Sequence, residues 1–277
     1  MTTTDWTTEA KGTGQYADVN GLHMYFEVHG TGKPLILLHG GLGSGEMFGP
    51  VLPALAQDRQ VIAVDLQGHG RTADIDRPLD IGLMADDIAA LIRHLGLEQA
   101  DLMGYSLGGG VALFTASKYP ELVGRLVVTS VYLRPDAIDP ALQAMQGQVN
   151  AAAAEFMKDT PMYQGYVRLA PRPEDFGKLL DKIGAMMADD FDHTEVVRGL
   201  QVPTLLVAAD ADQAPPSHYV EMFKLLDGGL RDGGWMNENR PKGGHALAIL
   251  PGLTHYSIFA SPLLADVAIA FLDTPRA

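Results

Sequence analysis

Asp101-Leu102-Met103-Gly104-Tyr105-Ser106-Leu107-Gly108-Gly109-Gly110 places one serine between two glycines where an apolar strand runs into an apolar helix. The segment reads as a nucleophile elbow, a corner so tight that a Cβ at Gly104 or Gly108 would collide across it. Ser106 is thereby lifted clear of its own sheet. The backbone N–H of Leu107 opens the next helix and points at the same spot, where the helix dipole also favours negative charge. A bare Gly-x-Ser-x-Gly recurs by chance, and it carries weight only with strand, turn and helix around it.

That context extends upstream. Pro34-Leu35-Ile36-Leu37-Leu38 is a short, continuously apolar run, as expected of a strand buried on both faces of a parallel sheet, and it ends in His39-Gly40-Gly41-Leu42-Gly43-Ser44-Gly45. Glycines there let backbone N–H groups approach a ligand, and Gly41 is the candidate second oxyanion donor beside Leu107. A phosphate cradle fits less well, because the loop lacks the Gly-Lys-Ser/Thr ending of a P-loop and the spacing of a dinucleotide fingerprint. A further strand, Val61-Ile62-Ala63-Val64-Asp65, leads into Leu66-Gln67-Gly68-His69-Gly70-Arg71-Thr72, so three strand-to-loop corners gather around one place.

Composition narrows the classes. The chain has 277 residues, 47% of them hydrophobic, with 31 glycines, enough for one α/β domain and a modest insertion. A formal net charge of -14 argues against a nucleic-acid partner, since phosphate binding relies on clustered Lys and Arg. With no cysteine, disulfides and Cys-metal sites are impossible, and no His-Glu-x-x-His or similar pattern implies a metal. The polar, threonine-rich residues 1–14 lack the order of a signal peptide and no run approaches membrane-spanning length, so the expected location is cytoplasmic, without membrane contact.

With His-Gly-Gly at 39–41, Asp-x-x-Gly-His-Gly-x-Thr at 65–72 and Gly-Tyr-Ser-Leu-Gly-Gly at 104–109, the chain resembles the α/β-hydrolases. Within them it is most similar to capped serine esterases, cofactor-free haloperoxidases (perhydrolases) and carbon-carbon bond hydrolases. The resemblance covers most of residues 20–130 and 200–275. It implies a mostly parallel central sheet flanked by helices, no cofactor, and a Ser-Asp-His order of triad members. Epoxide hydrolases and dehalogenases place an aspartate at the elbow and dienelactone-type hydrolases a cysteine, so Ser106 disfavours both.

A serine hydroxyl is a poor nucleophile at neutral pH and needs a histidine base held by an acid. The strand pattern of residues 202–209 delivers Asp210-Ala211-Asp212-Gln213 to the sheet edge, where either aspartate fits; the resemblance, through Pro215 and Pro216, favours Asp212. Asp210 then reads as a loop residue bonding nearby backbone N–H groups. The resemblance likewise places the base in the loop after the apolar run 246–250, at His255. His245 precedes that run and would lie at the opposite end of the sheet. His39 and His69 read as loop-packing residues, and His23, His29, His94, His193 and His218 as surface or boundary residues.

Asn20-Gly21 predicts a hairpin between edge strands at 15–19 and 22–28. Helical periodicity is expected at 51–56, 79–95 and 107–118, a strand at 126–130, and a final helix at 262–272. Residues 132–198 break the alternation, with helical stretches at 140–157 and 174–187, and read as a cap inserted between core segments 1–131 and 199–277. Tyr105, Met145, Met157 and Met186 are the candidate substrate-binding side chains; Met162 and Met187 belong to the same set, for which core packing is the simpler reading. Asp189, Asp190 and Asp192 read as solvated surface. The Gly-rich stretch 226–244, with Trp235 and Met236, fits either a second lid or a contact within a homo-oligomer. The expected activity is cleavage of small, largely apolar carboxylic esters or lactones through an acyl-enzyme. Perhydrolysis, carbon-carbon bond hydrolysis and a hydrolase-derived small-ligand receptor are the alternatives.

Overall fold

The computed structural model describes residues 13–236 and 243–274. The sequence readings for residues 1–12 and 237–242 lie outside them. Eight strands make one sheet: β1 (Thr13–Val19), β2 (Leu22–His29), β3 (Lys33–Leu38), β4 (Arg59–Val64), β5 (Ala100–Tyr105), β6 (Val123–Thr129), β7 (Thr204–Ala211) and β8 (Ala246–Thr254). Their order is β1-β2-β4-β3-β5-β6-β7-β8. The β1–β2 and β2–β4 pairs are antiparallel and the rest parallel. Asn20 and Gly21 turn the first hairpin with φ of 48° and 83°, as a two-residue I′ turn requires.

The parallel strands are covered on both faces. Every residue of β5 and β6 is buried, so both strands are mostly apolar, with Asp101, Arg125 and Thr129 the buried polar exceptions. One face packs under α2 (Ile81–His94) and α3 (Leu107–Lys118); Met84, Ile88, Leu91 and Ile92 of α2 follow helical spacing into that core. Asp80 caps α2 by accepting from Leu83 N at 2.7 Å. The other face packs against α1 (Leu52–Leu55) and the last helix, Pro262–Leu272.

Between β6 and β7 the described chain holds helices and turns only: α4 (Pro140–Gln146), α5 (Ala154–Met157), α6 (Pro161–Leu169), α7 (Phe176–Ala188) and α8 (Thr194–Arg198). The single helix expected over 140–157 is interrupted after Gln146, because Gly147 ends α4 and Asn150 caps a new turn through Ala152 N at 3.0 Å. α6 was not foreseen; its apolar face consists of Tyr163 and Tyr166 in a polar, Gly-containing stretch, so tertiary burial against Phe176 decides it. α9 (Pro216–Leu225) and α10 (Pro262–Leu272) complete the fold.

β7 and β8 run further than the sequence suggested. Pro251 and Gly252 argue for a loop, yet β8 continues to Thr254, because an edge strand tolerates a proline. The β7–β8 register shifts between Ala209 and Ala211. There Asp210 replaces part of the ladder, accepting from Gly252 N at 2.9 Å and Leu253 N at 3.1 Å.

Candidate active site

The C-terminal ends of β3, β5, β6 and β7 open on a cavity of about 850 Å³. Ser106 stands at its floor with φ 51° and ψ -119°, a strained conformation for a side-chain-bearing residue. Neighbours hold it there: Ser106 N donates to Thr129 O at 2.9 Å and Gly108 N to His39 O at 3.0 Å. A Cβ on Gly104 would overlap the Gly108 carbonyl, and one on Gly108 the Leu38 carbonyl, so the corner closes only with glycine at both.

His255 lines the same cavity, although only 6% exposed, and its Nδ1 lies 2.9 Å from Asp212 Oδ1. A carboxylate only accepts, so Nδ1 carries the proton and neutral His255 keeps its lone pair on Nε2. Asp212 is further held by Ser130 Oγ at 2.6 Å, Ala209 N at 3.1 Å and Gln213 N at 2.8 Å. Burial pushes its carboxyl up, but hydrogen bonds from His255 and Ser130 outweigh this and hold it below its ordinary value. Asp210, occupied with the β8 backbone, is exposed and turned to other partners.

Gly41 and Leu107 both line the cavity. Gly43 N donates to Gly40 O at 3.1 Å, closing a turn whose central residues are Gly41 and Leu42, the latter at φ 59°. Among the described residues the N–H groups of Gly41 and Leu107 have no protein acceptor.

The Asp-x-x-Gly-His-Gly-x-Thr segment is a clamp. Asp65 accepts from Gly45 N at 2.7 Å and Arg71 N at 2.8 Å, while Thr72 Oγ1 donates to Asp65 O at 2.7 Å. Burial pushes the Asp65 carboxyl up to about 6. His39 Nδ1 donates to Gly40 O at 2.7 Å and its Nε2 accepts from Leu66 N at 3.0 Å, tying the glycine loop to the clamp. Burial, reinforced by His69, holds His39 down at about 3; burial holds His69 at about 4. Both are structural imidazoles, neutral in the fold.

Of the candidate substrate-binding side chains, Tyr105, Met145 and Met186 line the cavity, with Met162 and Met187. Met157 does not: it packs half-buried against the main core, because α5 turns that side chain away. Tyr105 is 5% exposed and its hydroxyl donates to His255 O at 2.7 Å, so it supports the histidine's backbone. Several residues escaped the sequence reading. Ser130, at φ 56°, is set by β6 against Asp212, a contact with no local signal. Asp189 and His193, read as surface, line the cavity because the 189–193 segment folds back over it. Glu46 and Arg168 pair across the rim, joining α6 to the loop after β3, and Arg71 holds Glu46 from the other side at 2.6 Å.

Residues 33–250 match the family model described as alpha/beta hydrolase fold. The chain belongs to the α/β-hydrolase fold family. A protein of Azorhizobium caulinodans named "Putative carbamate hydrolase RutD" is 30% identical over 235 residues, covering 78% of this chain and 86% of that relative. A pimeloyl-(acyl-carrier protein) methyl ester esterase of Neisseria meningitidis serogroup B is 33% identical over 207 residues, covering 66% of this chain and 76% of the relative. Among solved structures, a thermophilic esterase from Thermogutta terrifontis superposes with a TM-score of 0.72 at 23% identity, covering 97% of this chain and all of that one, a likeness of fold. No described helix is long and apolar enough to cross a membrane.

Proposed function

We propose that this α/β-hydrolase cleaves small, largely apolar carboxylic esters or lactones with Ser106 as nucleophile, His255 as general base and acid, and Asp212 as its orienting partner. The observation that carries the reading is the His255–Asp212 contact, which fixes the Nδ1 proton of an imidazole lining the same cavity as the strained Ser106. In the proposed reaction Ser106 Oγ attacks the substrate carbonyl carbon as its proton passes to His255 Nε2. The N–H groups of Gly41 and Leu107 receive the oxyanion. Collapse expels the alcohol, which takes the proton from His255; water then repeats the sequence on the acyl-enzyme and frees the acid. Helices α4 to α8 serve as the cap that excludes bulk water and shapes the acyl pocket. The relatives named as a methyl ester esterase and a carbamate hydrolase support attack at a carboxyl-level carbon.

Stopped-flow hydrolysis of short p-nitrophenyl esters, with lactones and carbamates in the same panel, tests this. The expected result is a nitrophenol burst equal to the enzyme concentration when deacylation is slower than acylation, and turnover lost in Ser106→Ala. Tight binding of these compounds without product would favour the receptor reading instead.

A further inference from the structure

We propose that the cavity carries a second recognition point, an aromatic box of Phe114, Tyr132, Phe191 and His193 that receives the aryl end of a long acyl chain. The inference rests on Ser106 holding the acyl carbonyl, as proposed above.

Helix α3 acts as a ruler. Ser106, Gly110 and Phe114 all line the cavity, at positions i, i+4 and i+8 along one side of that helix. Eight residues at the helical rise separate Ser106 from Phe114 by about 12 Å. Gly110 between them presents no side chain to the cavity, and Ile81, which also lines it, packs beside that position. At the far end the rings form a continuous set. Phe114 meets His193 edge-on, with centroids 4.8 Å apart and planes at 80°. His193 stacks on Phe191 at 4.6 Å, and Phe191 on Tyr132 at 6.0 Å. All four line the cavity.

An extended chain advances roughly 1.2 Å per bond, so about 12 Å corresponds to about ten bonds. An acyl chain of about eight carbons therefore delivers a terminal phenyl ring to the box, where edge-to-face contact distinguishes it from an alkyl end of equal length. Among the described cavity-lining residues the cation is Arg168, which pairs with Glu46 at the rim, while Asp189 lines the wall near the rings and burial holds His193 below its ordinary value despite Asp192. A neutral aryl end suits these surroundings better than a terminal carboxylate does.

The test is calorimetric binding to the Ser106→Ala protein, comparing N-methyl-8-phenyloctanamide with N-methyldodecanamide, and N-methyl-4-phenylbutanamide with N-methyloctanamide. The long aryl amide is expected to bind about fivefold more tightly than its alkyl match, and the short aryl amide, which stops before the box, with no advantage. Phe191→Leu, and independently Tyr132→Leu, should each bring the long-chain ratio towards one. The kcat/KM ratio of p-nitrophenyl 8-phenyloctanoate to dodecanoate in the parent enzyme should move the same way. A long-chain ratio near one in the otherwise unaltered cavity overturns the inference, as does a preference that survives both substitutions. If short esters are hydrolysed and the aryl preference is missing, only the box falls. If the preference is present and no ester is hydrolysed, the box stands and the Ser106 reading falls.

Discussion

The ends of the sheet strands and the helical segment between β6 and β7 bound one cavity but are built differently. At the strand ends the polar groups hold one another: Asp212 accepts from His255, Ser130, Ala209 N and Gln213 N, Asp65 clamps two loops, and Tyr105 fixes the His255 backbone. The helical side presents methionines and aromatic rings to the cavity, with Glu46 and Arg168 paired at the rim, and Met145 is 68% exposed. Dense polar fixing suits chemistry, which loses rate when a reacting group moves by about 1 Å. A wall of thioethers and rings suits selection, because it adapts its shape. Substitutions at the strand ends should therefore act on kcat, and those on the helices on KM and substrate choice.

The largest effect is expected at Asp212. Asp212→Asn should lower kcat by about 10⁴ while the protein stays folded, since an amide permits the wrong tautomer and cannot stabilise the imidazolium. Asp210→Asn should act on thermal stability, through the β8 backbone it holds, and should leave kcat near the parent value. The comparison fails if the two effects are exchanged. Ser130→Ala comes next: loss of one hydrogen bond to a charged carboxylate, worth about 1.5–3 kcal/mol, should lower kcat roughly tenfold to a hundredfold. A change confined to KM would place Ser130 with the pocket wall.

Smaller differences are expected among the methionines. Met186→Ala, in the cavity wall, should shift KM and chain-length preference, whereas Met157→Ala, packed against the core, should lower the melting temperature with little change in preference. Equal kinetic effects at both positions would remove the distinction.

The strand ends should also carry an acid sensitivity. His39 and His69 stay neutral in the fold down to about 3 and 4, whereas an unfolded chain protonates its histidines near 6.5. Below pH 6.5 the unfolded state then binds more protons, so stability present above 6.5 is lost progressively as pH falls towards those values. Asp65, raised to about 6, contributes with the opposite sign as one group against two. The melting temperature should fall between pH 7 and 4.5, and less steeply in His69→Gln. An identical slope in that variant would show that His69 is not involved.

Much of the strand-end architecture was legible in the sequence, because continuous apolar runs and glycines crowded by backbone leave few alternatives. The predicted span of α3, 107–118, agrees with the structure, and the hairpin turn at Asn20–Gly21 was specified by residue type. The extent of β8 was not legible, because Pro251 and Gly252 signal a loop unless the strand is known to lie at an edge and Asp210 is known to complete its ladder. Ser130 and His193 were missed for a related reason. Their places depend on contacts 82 residues away, to Asp212, and on a ring cluster assembled from α3 and the 189–193 segment. The acidic run at 189–192 looks solvated in sequence, and only the return of the chain over the cavity brings Asp189 to its wall.

Under the proposed function, Ser106 is the serine with both a base and an oxyanion site at hand. Labelling with a fluorophosphonate probe, followed by peptide mass spectrometry, tests this most directly. A single adduct on Ser106 is expected, formed in the parent protein and strongly slowed in His255→Gln. An adduct on Ser44 or Ser130 instead, or equally fast labelling of Ser106 without His255, would contradict it.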